Sequence, residues 1–143
     1  MIENAGGRIV TCALAGLLIL SHAAAEATAE DEHQGVIEYE IACMPCHGLH
    51  GYGDGRQAGS LNVQPSDLTR IARSNGGKFP FDRVMAIIDG REQVAAHGRR
   101  AMPVWGNRYR VFVEPGESRT VVERRAKRRI HALTRYVRSL QVK

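Results

Sequence analysis

The sequence predicts an all-α domain, and three observations carry that expectation. Near the carboxyl end Val122, Ala126, Ile130, Leu133, Val137 and Leu140 recur at steps of 4, 4, 3, 4 and 3 residues, the spacing of one helix face. No stretch alternates apolar and polar residues convincingly enough for a half-buried strand. Residues 48–66 are dense in Gly, Asn, Ser and Pro, which marks a long irregular loop that needs something to pack against.

The elements follow in order. A lone Arg8 precedes the apolar run Ile9 to Leu20 and the small residues Ala23-Ala24-Ala25, the order of a secretory signal peptide over residues 1–25. The run is too short for the roughly 20 residues that span a bilayer. Cleavage there removes Cys12, leaving Cys43 and Cys46 in an exported, periplasmic setting. The Ala/Glu-rich residues 26–34 are expected to form a disordered lead-in, with the domain covering 35–143. Gly35 to Cys46 is the first helix, with Val36, Ile37, Tyr39, Ile41, Ala42 and Cys46 at helical spacings. Phe81 to Ile88 is a short helix, started near Pro80 and stopped by Gly90, that buries Val84, Ile87 and Ile88. The final helix buries the stripe named above and turns most of its arginines to solvent.

Composition limits the function. The 143 residues are 43% hydrophobic, 24% charged and 6% aromatic, with a net charge of +5, which excludes collagenous, mucin-like and wholly disordered chains. That charge is also far below what a dedicated nucleic-acid binder carries. It is polarised: residues 26–55 hold seven acids and no Lys or Arg, whereas 91–143 hold fourteen bases and four acids.

Cys43-Met44-Pro45-Cys46-His47 is a C-x-x-C-H sequence, the attachment signature of a c-type haem. Sulfurs three residues apart on one helical turn can reach the two vinyl groups on one porphyrin edge, and His47 can then reach the iron. One covalent haem c would also fill a core that an aromatic-poor chain otherwise lacks. Competing readings fit less well. A thioredoxin-like pair needs a βαβ context. A zinc site needs about four ligands, and beyond the motif only His33, His50, His97 or His131 could help. A structural disulfide loop leaves the placement of His47 unexplained.

The second axial face calls for a thioether. Met44 lies inside the motif and cannot swing to the far side, and Met85 suits core packing on its helix. Met102 precedes Pro103 in a stiff extended segment between Gly98 and Gly106, so it is expected as the distal ligand, ahead of His97 or an open site.

These pieces together resemble a class I c-type cytochrome of the bacterial periplasmic mono-haem kind, over about residues 35–140. The matching segments are Cys43-Met44-Pro45-Cys46-His47-Gly48 with Gly51-Tyr52-Gly53-Asp54-Gly55, then Pro65-Ser66-Asp67-Leu68, Ile88-Asp89-Gly90-Arg91, and Met102-Pro103-Val104-Trp105-Gly106. The resemblance implies three to four helices wrapped around the haem. It implies that the carbonyl of Pro65 accepts a hydrogen bond from His47, and that the Trp105 indole lies near a haem propionate. The chain departs from the pattern in the loosely matching Tyr136 and in an added segment, Asn107 to Thr120, whose Val111-Phe112-Val113 would cover the haem edge or form a contact surface. His50 and His131 are expected to be solvent or packing residues.

The function so implied is a carrier of single electrons between periplasmic redox partners, with His47 and Met102 as axial ligands, and not an enzyme by itself. Arg99, Arg100, Arg108 and Arg110 would form a basic rim for an acidic docking face. No nucleic acid or small-molecule substrate is expected, and membrane contact only if the signal segment persists as an anchor. Two alternatives stand beside it: a haem c subunit of a larger periplasmic dehydrogenase or oxidase, and a ligand-binding or sensing haem protein with an open sixth site.

Overall fold

A computed structural model describes residue 30, residues 32–92 and residues 102–142. The expected signal segment, most of the expected lead-in, His97, Arg99 and Arg100 lie outside the described residues. Every regular element among the described residues is helical: α1 (residues 32–42), α2 (Met44–His47), α3 (Phe81–Asp89), α4 (Trp105–Val111) and α5 (Arg119–Ser139), with three short 3₁₀ turns between α2 and α3.

Two boundaries differ from the sequence expectation, each for a local reason. Residues 32–34, assigned to the lead-in, belong to α1: Gln34 Nε2 donates to Glu38 Oε1 one turn on at 2.6 Å, and Glu32 lies 3.9 Å from Arg135 of α5. The first helix does not run through to Cys46 but breaks at Cys43, and a new turn begins with Pro45 in its first positions. Proline has no N–H to continue the α1 ladder and is tolerated only where a helix starts. Cys43 bridges the break, donating to Tyr39 O at 2.9 Å and accepting from His47 N at 2.8 Å.

Helix α5 is the spine. Ser118 caps it by accepting from Val121 N–H, and Val122, Ala126, Ile130, Leu133 and Val137 of the expected stripe are buried, whereas Leu140, its last member, is half-buried at the cap after Ser139. Against α5 the start of α1 packs very closely. A Cβ on Gly35 would stand 2.5 Å from the Ala132 carbonyl oxygen, and one turn on the Tyr39 and Tyr136 rings meet at 4.9 Å. Gly35→Ala is therefore expected to push the two helices apart and lower the urea midpoint by the equivalent of about 1–3 kcal/mol, whereas exposed Gly59→Ala, with open space around it, should leave the midpoint nearly unchanged.

Helix α3 buries Val84 and Ile88 but only partly Ile87, and Met85 packs on the same core. Helix α4 is joined to both neighbours by one guanidinium. Arg110 Nη1 donates to Asp89 Oδ1 at the end of α3 at 2.6 Å, and Arg110 Nε and Nη2 donate to Glu123 of α5 at 2.6 and 3.0 Å. Arg110 thus belongs to the fold and not to a free basic rim. Burial pushes the Asp89 carboxyl up, but the hydrogen bonds and charges of Arg110 and Arg91 outweigh it and leave the group below its ordinary carboxylate value. A carboxyl depressed in the folded state contributes stability above its unfolded value and loses it as pH falls through the folded one. Denaturant midpoints measured down an acid series should fall below about pH 4, and Asp89→Asn should flatten that limb while lowering the neutral midpoint.

Candidate functional site

The site starts from a four-residue helix whose open end is closed by the loop that follows it. Three carbonyls of α2 receive loop amides: Gly53 N donates to His47 O at 2.9 Å, Gly55 N to Cys46 O at 3.0 Å and Gln57 N to Pro45 O at 2.8 Å. Such close approach explains the glycines. A Cβ on Gly55 would stand 2.5 Å from the Pro45 oxygen, and Gly53, at φ 82°, lies where a Cβ would meet the Pro65 oxygen at 2.2 Å. Tyr39 of α1 adds a lock from beneath, its hydroxyl donating to the Gly48 carbonyl at 2.7 Å. The Gly-rich stretch is thus a collar around the motif turn.

Within that collar Cys43 is buried, Cys46 half-buried and His47 buried, and both cysteines are free thiols. Burial, with help from Cys46 and Glu38, pushes the Cys43 thiol up to about 12, so it keeps its proton at neutral pH. Cys46 Sγ donates to Gln57 Oε1 at 3.7 Å. The His47 ring is oriented by a carbonyl, with Nδ1 2.9 Å from the Ser66 oxygen. A carbonyl can only accept, so Nδ1 carries the proton and the neutral ring has its lone pair on Nε2, the tautomer that a metal ligand requires. Ser66, not Pro65, supplies that carbonyl. The Pro65 oxygen instead lies against the Gly53 backbone.

Two cavities open on this turn, and Cys43, His47 and Met102 line both. The larger, of about 360 Å³, runs between the motif and α3, past Leu68, Ile71, Val84 and Ile88. The smaller, of about 40 Å³, has Cys46, Leu61, Val63, Pro65 and Trp105 in its walls. All six residues singled out in the sequence, Cys43, Cys46, His47, Pro65, Met102 and Trp105, therefore border this space, although they come from the break before α2, α2 itself, the loop after it, the segment before α4 and the start of α4. Met85 packs on the core and lines neither cavity, and Met44, inside the motif, also lines neither.

The residues fit a covalently held haem. Two free thiols three positions apart occupy one turn, an imidazole is fixed in the ligand tautomer beside them, and a thioether shares their cavity walls. The space falls in the size range of cofactor sites and is mostly apolar with a few polar groups. Among the described residues no three His, Cys, Asp or Glu side chains gather as a metal cage, and His50 and His131 instead lie beside Tyr52 and Phe81 at 6.0 and 5.3 Å.

Sequence reasoning missed the ground beneath the site. Glu38 of α1, 1% exposed, is held by Arg129 of α5 through bonds of 2.5 and 2.9 Å, and the Arg129 guanidinium lies 4.1 Å over the Tyr109 ring. Tyr109 is buried beside Glu38, and burial first, then the interaction of its hydroxyl with that carboxylate, holds its ionisation well above the ordinary range. A pair 91 residues apart leaves no local pattern to find. Trp105 stands one helical turn before Tyr109, with Arg108 4.9 Å over its ring. No protein-family model, curated protein or solved structure matches this chain.

Proposed function

We propose that this protein is an exported mono-haem c-type cytochrome that carries single electrons between periplasmic redox partners, and is not an enzyme alone. The observation that carries the reading is the meeting of Cys43, Cys46, His47 and Met102 on one shared cavity, with the first three on a single turn. When bound, the haem iron supplies reversible one-electron exchange.

The chain's own residues do the rest. Cys43 and Cys46 would hold the macrocycle through thioethers and so remove any need for tight non-covalent binding. His47 would present Nε2 to the metal, and the Ser66 carbonyl fixes the ring's rotation and strengthens it as a donor. Met102 would offer a soft thioether, which favours the reduced metal and leaves no open coordination position for a substrate. Leu68, Ile71, Val84 and Ile88 give the larger cavity an apolar wall against which a macrocycle would pack. Trp105 lies in the smaller cavity's wall, where its indole N–H could donate to a carboxylate.

Absorption and mass spectra of protein exported together with haem-maturation machinery test this. The expected material is red and low-spin, heavier than the polypeptide by one haem, with a far-red sulfur-to-iron band that disappears in Met102→Ala while the mass added to the polypeptide stays one haem. Ready uptake of carbon monoxide by the reduced wild type would favour an open sixth site. Colourless protein of bare polypeptide mass would reject the proposal.

A further inference from the structure

The turn between α4 and α5 exposes three consecutive apolar side chains, Val111, Phe112 and Val113, at 74, 70 and 57%. Residues 111–116 are all exposed, so the segment is a projecting tip and not the wall of a groove. It is nevertheless held in shape. Arg125 donates to the Phe112 carbonyl and pairs with Glu117 at 2.6 Å, and the Glu117 N–H closes the turn on Glu114 O at 3.0 Å. A fixed apolar tip contributes nothing to the core beneath it, and contiguous exposed apolar surface of this kind marks a contact site.

Unpaired charge around the tip is mostly positive. Exposed Arg108 lies one helical turn before Val111 on α4, Arg119 opens α5, and half-exposed Val121 shares a stripe with exposed Arg124 and Arg128 three and seven residues on. Among the described residues these four arginines form no salt bridge, whereas Glu117 and Glu123 are engaged by Arg125 and Arg110. Glu114 is the one acid left exposed on the tip itself.

We propose that this tip seats on an anionic lipid surface, with Phe112 and the two valines entering the interface and the surrounding arginines meeting phosphate groups. Three side chains cover far less than the roughly 800 Å² that each partner contributes to a stable protein interface. A convex tip needs no matching pocket in a fluid interface, and guanidinium groups pair with phosphate oxygens two at a time. No helix among the described residues is long and apolar enough to cross a membrane. The inference does not depend on the proposed haem.

Co-sedimentation of the exported protein, freed of the expected signal segment 1–25, with vesicles of mixed phosphatidylglycerol and phosphatidylcholine, against phosphatidylcholine alone, tests it. The wild type should bind the mixed vesicles only. Phe112→Ser should weaken binding roughly tenfold or more, through the apolar area lost. Arg124→Gln should weaken it about fivefold, and Glu114→Gln should tighten it. Ile41→Ser, at a comparably exposed apolar position on α1, should change nothing, which separates insertion from general attraction of a basic protein. Brominated lipid should quench Phe112→Trp beyond the quenching of Trp105 in the wild type. Equal binding by wild type and Phe112→Ser, or no binding to either vesicle, overturns the proposal. A wild-type dimer abolished by Phe112→Ser, without vesicle binding, overturns it in favour of contact with a second copy.

Discussion

Arg129→Met is expected to remove much of the domain's stability, although the residue touches neither cavity. Its guanidinium is the ionic partner of Glu38, a carboxylate 1% exposed between α1 and α5, and it also covers the Tyr109 ring. Breaking a buried pair from one side leaves an uncompensated charge and typically costs about 3–5 kcal/mol. Single domains have about 5–15 kcal/mol in total. Urea unfolding followed by circular dichroism should therefore show a much lower midpoint, or a chain largely unfolded without denaturant. The double variant Glu38→Met with Arg129→Met should recover most of the loss, because two packed apolar side chains replace a pair whose attraction was largely offset by desolvation. A double variant as unstable as the single would show that Arg129 acts through packing on Tyr109 and not through the carboxylate.

The second large effect concerns the motif. Cys43→Ala with Cys46→Ala is expected to abolish covalent haem attachment under conditions where the wild type matures, which mass spectrometry reads directly. Stability should fall with it. An open cavity of about 360 Å³ left without its occupant turns the apolar walls formed by Leu68, Ile71, Val84 and Ile88 toward water in place of a packed group, which loosens fixed side-chain packing. The double variant should accordingly lose near-ultraviolet circular dichroism while keeping far-ultraviolet helical signal. Met102→Ala should keep both the attached mass and most of the folded signal, since it removes one wall residue and not the attachment. A double cysteine variant as stable and as well packed as the wild type would mean that the chain builds its core without a prosthetic group.

The helices were legible to different degrees. α5 was the plainest because its apolar stripe, Val122 to Leu140, is long and its period unbroken, and the helix spans all of it but Leu140. α3 needed only its flanking Pro80 and Gly90. α1 was visible but misjudged at both ends: its start depends on contacts with α5, and its end on what Pro45 forbids. α4 was not foreseen. Trp105-Gly106-Asn107-Arg108-Tyr109-Arg110-Val111 has no clear apolar period, and the helix exists because Gly106 and Tyr109 fit against neighbours and Arg110 ties it to Asp89 and Glu123. The same tie removes Arg110 from the basic rim that sequence adjacency to Met102 suggested.

What the sequence displays by itself is the set of groups on which the proposed chemistry rests, because those groups are written at short range. Two thiols three residues apart, a histidine next to the second, and a methionine stiffened by Pro103 are local patterns that survive any ignorance of the fold. Tertiary structure decided which carbonyl orients His47, which space the six residues share, and which charges are spent inside the protein. Ser66 rather than Pro65 faces the imidazole because the collar glycines draw the chain in at one particular depth. Glu38 finds Arg129, and Asp89 finds Arg110, only after distant helices have packed. Burial sets the weight of those pairs, and burial is a property of the assembled core that no short segment encodes.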